Sequence, residues 1–166
     1  PSPDEVIARD GGVDGEYLGG GAGDDFVWAW TNTGDTTLDG GDGNDNLTGG
    51  SGADTFIAGA GDDTVDMRAG GADKVIVNGT DYYGGADKLI GFGADDKLVI
   101  ASPSKAVHIA SVVQHDSCDL TLTYIADGKM STVKIDGDGD GGGFHLEMSQ
   151  IMSTSSAGFT LSAEAF

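Results

Sequence analysis

The chain is poor in the residues that bind nucleic acid, form disulfides or cross membranes. Only 8 of its 166 residues are lysine or arginine, against 28 aspartates and glutamates, and the formal net charge of −20 argues against nucleic acid as a partner. A single cysteine, Cys118, precludes an internal disulfide. It stands in an alternating stretch with Leu120, Leu122 and Tyr124, which reads as a buried structural thiol rather than a reactive one. No apolar run is long enough for a transmembrane helix, and no N-terminal signal peptide is visible. There is no HExxH pair for zinc and no GxSxG elbow. His108, His115 and His145 fall in separate strand-like contexts, so they read as surface or satisfied histidines and no catalytic residue is assigned. The chain opens on Pro1-Ser2-Pro3 without an initiating methionine, as expected of a fragment whose catalytic domain, if it has one, lies upstream.

Glycine, in contrast, is abundant, with 30 copies that recur in a nine-residue rhythm. Residues 40–48 (GGDGNDNLT) and 49–57 (GGSGADTFI) share glycines at positions 1, 2 and 4, aspartate at 6 and a large apolar residue at 8. The same register runs upstream through 20–28 (GGAGDDFVW), 31–39 (TNTGDTTLD) and 11–19 (GGVDGEYLG). Downstream it continues through 58–66 (AGAGDDTVD), 68–76 (RAGGADKVI), 82–90 (YYGGADKLI) and 91–99 (GFGADDKLV). Insertions follow Trp28, Asp66 and Ile76, and weak copies carry Glu16 and Thr36 at position 6. A flexible Gly/Asp linker has no reason to keep an apolar residue at every eighth position.

Each position has a physical task. Glycine lets the backbone turn through positive φ and approach a neighbour closely, and position 8 lies on a short strand with its side chain directed inward. One block is then a turn plus a strand, and two blocks make a coil. Coils stack at roughly 4.8 Å, which places the position-6 carboxylates in columns. Two carboxylates at that separation repel by about 3.5 kcal/mol at an effective dielectric of 20. The columns therefore need cations. Because alternate blocks share an edge, the expected bridging pairs are Asp25 with Asp45, Asp45 with Asp63 and Asp63 with Asp87, and on the opposite edge Asp54 with Asp73 and Asp73 with Asp96. Carbonyls of Gly20, Gly23, Gly40, Gly41, Gly43, Gly49, Gly50, Gly52, Gly59, Gly61 and Gly71 complete an all-oxygen ligand set. Such a set favours Ca²⁺ over Mg²⁺ or Zn²⁺, and the pairing suggests ~4 to 6 ions. Five sites with Kd tenfold below ambient Ca²⁺ would add roughly 7 kcal/mol. The roll would fold outside the cell and stay unfolded in calcium-poor cytosol.

These blocks resemble the RTX (hemolysin-type) calcium-binding nonapeptide, GGxGxDxUx with U apolar, over residues 11–99. The resemblance implies an all-β fold, a right-handed parallel β-roll, in an extracellular or cell-surface bacterial protein exported by type I secretion machinery. The family includes serralysin-type proteases, lipases, toxins, adhesins and the R-modules of mannuronan C5-epimerases.

Beyond Val99 the glycine rhythm gives way to ordinary strand patterning. Residues 97–101, 119–125, 130–135 and 144–148 read as strands, Asp127-Gly128 reads as a hairpin turn, and 105–114 fits either a strand or a short helix. This segment resembles the β-sandwich-like cap that follows the roll in serralysin-type C-terminal domains, through Ile90-Gly91-Phe92 and Asp96-Lys97-Leu98. The expected organisation is a lead-in over 1–10, the roll over 11–99, and over 100–166 a cap whose ending, LSAEAF, resembles a type I secretion signal. Residues 136–147 (DGDGDGGGFHLE) fit the EF-hand loop spacing, with Asp136, Asp138, Asp140 and Glu147 as ligands and Gly141 at the turn. The strand-like flanks favour a calcium-binding hairpin loop or a plain acidic turn instead.

Phe26, Trp28 and Trp30 alternate with Val27, so they face outward if Val27 faces in. They offer a surface for a sugar or a partner, or they lie under a neighbouring segment. Three functional readings follow. The first is a non-catalytic calcium-folded module serving export, folding and stability of a secreted protein. The second is a module for an alginate-like polysaccharide or a cell surface, and the third the C-terminal domain of a secreted hydrolase.

Overall fold

The computed structural model describes residues 5–7, 15–78, 85–93, 95–101, 107–115, 119–126, 129–136, 144–145, 159–162 and 164–165. Among them every regular element is a strand. The repeats lay down short strands in two alternating series, and stacking builds two parallel sheets into a β-solenoid of about 4 turns.

One series comprises β2 (Glu16–Ala22), β4 (Thr36–Asp42), β6 (Thr55–Ala60), β8 (Lys74–Asn78) and β10 (Lys97–Ala101); the other comprises β3 (Phe26–Trp28), β5 (Asn46–Thr48), β7 (Thr64–Asp66) and β9 (Ala86–Ile90). A first strand, β1 (Glu5–Ile7), pairs in parallel with β3, so the lead-in adds a strand to the second sheet. The register aligns position 8 of every block. Leu18, Leu38, Phe56, Val75 and Leu98 are successive partners in one sheet, and Val27, Leu47, Val65 and Leu89 are partners in the other. All nine are buried, which satisfies the strand periodicity expected of a roll with one inward face.

The insertions after Trp28 and Asp66 are absorbed at turns without loss of register. Ala29 is buried and donates its N–H to the Thr48 carbonyl (2.8 Å), while Trp30 stands out into solvent. Met67 is buried, and its N–H is bonded to the Ile90 carbonyl (2.9 Å). The pairings therefore skip these residues and still bring Glu16 beside Thr36 and Thr64 beside Lys88.

The cap extends both sheets. Strand β13 (Lys129–Asp136) joins β9 in parallel, and Ile135 prolongs the position-8 ladder beyond Leu89. Next come β12 (Asp119–Ala126) and β11 (Val107–Gln114), each antiparallel to its neighbour. The pairing of Ala126 with Lys129 leaves two residues between β12 and β13, the length of a tight hairpin connection; the expected turn residues Asp127 and Gly128 lie outside the described residues. The ambiguous segment 105–114 is thus a strand over 107–114, and its alternation is broken by a register shift between Ile109 and Ser111. On the other sheet β15 (Phe159–Ser162) pairs antiparallel with β10, and β14 (Phe144–His145) and β16 (Glu164–Ala165) pair antiparallel as a separate two-stranded sheet. Of the expected strand 144–148, residues 146–148 lie outside the described residues, as does Cys118. Antiparallel strands on both edges cover the end of the roll, which would otherwise present open ladders.

The core ladder carries a direct test. Phe56→Ala should cost about 3–5 kcal/mol in denaturant unfolding of the calcium-saturated chain, whereas Thr55→Ala on the outer face should stay within about 0.5 kcal/mol. Similar losses at the two sites would contradict the inward register.

Candidate metal centre

The turns between strands hold the acidic residues, and each edge of the roll repeats one contact. On the first edge the backbone N–H of Asp25 donates to Asp45 Oδ1 (2.8 Å), that of Asp45 to Asp63 Oδ1 (2.9 Å) and that of Asp63 to Asp87 Oδ1 (3.2 Å). On the second edge the N–H of Thr36 donates to Asp54 Oδ1 (2.9 Å), that of Asp54 to Asp73 Oδ1 (2.8 Å) and that of Asp73 to Asp96 Oδ1 (2.8 Å). All five carboxylate pairs expected from the spacing are brought together. All seven aspartates are buried.

Backbone oxygens line the same columns. Gly41 adopts φ 103° and Gly43 φ 137°, conformations that favour glycine. A Cβ on Gly41 would collide with the carbonyl oxygen of Gly21, and one on Gly43 with that of Gly23. The stacking repeats at Gly59 over Gly41, Gly61 over Gly43, Gly52 over Gly34 and Gly71 over Gly52. Position-1 glycines also press on their own aspartate: a Cβ on Gly20 would lie 2.8 Å from Asp25 Oδ2, one on Gly40 2.5 Å from Asp45 Oδ2 and one on Gly49 2.6 Å from Asp54 Oδ2. Gly50 has a different part, donating its N–H to Asp54 Oδ2 (2.8 Å).

Burial and like charge raise the carboxyls of Asp45, Asp54 and Asp73. Asp45 Oδ2 is buried and accepts no hydrogen bond. Burial pushes the Asp45 carboxyl above its ordinary range, and the charges of Asp25, Asp24 and Asp39 push it further. Asp54 is raised by burial and by Asp35, against hydrogen bonds from Thr36 and Gly50 that lower it. Asp73 is pushed up to about 7, first by burial and then by Asp96, Asp54 and Asp35, against the opposing hydrogen bond from Asp54. Paired anions out of water, with an oxygen that accepts no hydrogen bond beside stacked carbonyls, fit a hard divalent cation. Among the described residues no three His, Cys, Asp or Glu side chains converge on a point. A cation between coils could therefore be held by paired carboxylates and backbone oxygens, a donor set that suits calcium rather than zinc.

A second ladder, at position 5, escapes a template that reads only position 6. The N–H of Asn44 donates to Asp24 Oδ1, that of Asp62 to Asn44 Oδ1 and that of Ala86 to Asp62 Oδ1, each at 2.9 Å. On the other edge Ala53 N–H donates to Asp35 Oδ1 (2.8 Å). This exposed ladder runs from the later coil to the earlier, opposite to the buried one, so adjacent coils are tied in both directions. Asp or Asn at position 5 of five blocks is the signal that would have found it.

Elsewhere the expected site residues are dispersed. Asp136 ends β13, with its carboxylate 3.6 Å from Lys88 Nζ, while Asp138, Asp140, Gly141 and Glu147 lie outside the described residues. Val27 is fully buried, and Phe26 and Trp30 are 41% and 65% exposed, with Trp28 half-buried against Phe26 in an edge-to-face contact. His108 is exposed on β11, and His115 Nε2 lies 2.9 Å from Thr121 Oγ1.

Residues 30–65 match the family model of the RTX calcium-binding nonapeptide repeat, in four copies. The match stops short of the cap. No curated protein matches the chain.

The raised carboxyls fix the sign of a pH effect. An acid whose folded-state pKa is raised contributes stability that is complete below the unfolded value, 3.8 for Asp73, and is lost as pH rises through about 7. In excess chelator the β signal and melting temperature should therefore increase as pH falls from 8 to 5, with no such gain in saturating calcium. A metal-free chain less stable at pH 5 than at pH 8 would contradict the assignment.

Proposed function

We propose that this chain, whose RTX repeats bind calcium, is a calcium-folded module of an extracellular bacterial protein exported by a type I system, and that it serves folding, stability and export without catalysis of its own. The observation that carries the proposal is the buried pairing of Asp25, Asp45, Asp63 and Asp87 on one edge and of Asp54, Asp73 and Asp96 on the other. These aspartates are the cation ligands in this reading, and the stacked glycine carbonyls complete the oxygen set. When bound, the ion neutralises carboxylates that otherwise repel. Within the chain, backbone N–H groups orient each carboxylate, glycine permits close stacking, and the position-8 ladders exclude water from the interior. A calcium-poor compartment keeps such a chain unfolded, as threading through a narrow export channel requires, and external calcium then closes the roll.

A carbohydrate or cell-surface role is a second reading, favoured by the exposed rings of Phe26 and Trp30 beside half-buried Trp28. Aromatic faces stack on sugar rings, and the adjoining outer positions Asn46 and Thr48 carry polar groups for hydroxyls. Trp30→Ala should then lower binding on a glycan array at least tenfold while leaving calcium binding intact. Absence of glycan binding by the unaltered chain would refute this role.

The primary proposal separates the two acidic ladders. Asp45→Asn removes a buried charge shared by two stacked pairs and should reduce bound calcium, counted by native mass spectrometry, by one or two ions per chain. Asp24→Asn, on the exposed ladder, should leave the count unchanged. An equal effect of both substitutions, or no calcium bound by the unaltered chain, would overturn the assignment of ligands.

A further inference from the structure

The second edge begins differently from the first. Its position-6 residues in the first two coils are Glu16 and Thr36, direct register partners on β2 and β4, where later coils of the same edge set Asp54 against Asp73 and Asp73 against Asp96. Between Glu16 and Thr36 reaches the side chain of Asn32, at position 2 of its block, a place held by glycine in the blocks of Gly21, Gly41, Gly50 and Gly59. Asn32 Nδ2 donates to Glu16 Oε2 (3.0 Å) and to Thr36 Oγ1 (3.3 Å), and Thr36 Oγ1 in turn donates to the Gly34 carbonyl (3.3 Å). Asn32 and Thr36 are both buried. The insertion of Ala29 and Trp30 precedes this block, and the turn it makes is pinned by the Asn32 N–H on the Ala29 carbonyl (2.8 Å).

We infer that the Asn32 amide takes the place of a cation in the first coil of this edge. The inference rests on the reading of position-6 pairs as calcium ligands. An amide NH₂ presents two N–H donors and no net charge. Here they meet one carboxylate and one hydroxyl, so the coil brings together a single anion and has no like-charge pair to neutralise. On its Thr36 side Asp54 is already served by backbone donors, with Thr36 N–H on Oδ1 and Gly50 N–H on Oδ2. The calcium column of this edge therefore starts between Asp54 and Asp73, and the coil before it is closed by protein atoms alone. The weak copy at residues 31–39 is a built-in end piece of the array rather than a decayed repeat.

The test counts ions by native mass spectrometry at saturating calcium and follows amide hydrogen exchange of β2 and β4. Asn32→Ala should bind as many ions as the unaltered chain while these amides exchange at least tenfold faster. The double substitution Asn32→Gly, Thr36→Asp restores the repeat template and should bind one more ion. Loss of an ion in Asn32→Ala, unchanged exchange in that variant, or no gain in a folded double variant would each overturn the inference. If the unaltered chain binds no calcium, the proposed function falls, and the exchange comparison decides the Asn32 contact by itself.

Discussion

Like-charge repulsion along two columns of stacked aspartates governs this fold. Strand pairing sets the coil spacing at roughly 4.8 Å, and the nonapeptide places a buried carboxylate at each level. The backbone does part of the work of holding them, since each Oδ1 accepts an N–H from the coil before. That leaves oxygens such as Asp45 Oδ2 buried with no hydrogen bond. A chain of net charge −20 cannot leave this imbalance uncorrected. A proton or a divalent cation can offset it, and burial beside Asp96 and Asp54 pushes the Asp73 carboxyl up to about 7.

The rest of the molecule is arranged around that constraint. Position-8 side chains form two inward ladders that hold the sheets together, and the cap prolongs one of them through Ile135. The cap turns a parallel array into antiparallel strands at β12 and β11, ending the solenoid without another acidic coil. At the other end the Asn32 amide does the same for the second edge with a side chain. In the proposed reading calcium dependence is thereby confined to the interior of the array.

Much of this is legible in the residues because the repeat states the same instruction many times. Val27, Leu47 and Val65 recur at position 8, so a single register accounts for the core, and the aspartate pairs follow once alternate blocks are assigned to one edge. Features that occur once are not legible in that way. Asn32 replaces a glycine in one weak copy, and nothing in its spacing shows that its amide would lie between Glu16 and Thr36. The position-5 ladder was hidden for a different reason: exposed Asp and Asn in a turn read as solvation until stacking brings each beside a backbone N–H. The bulge in β11 broke a two-residue alternation and left strand and helix equally plausible.

The central claim is that cation binding and folding are one event. Circular dichroism during a calcium titration from a fully chelated state at pH 8 tests it most directly. A β signal that develops with added calcium, and saturates with it, is the predicted result. A β signal already complete in excess chelator would contradict the account.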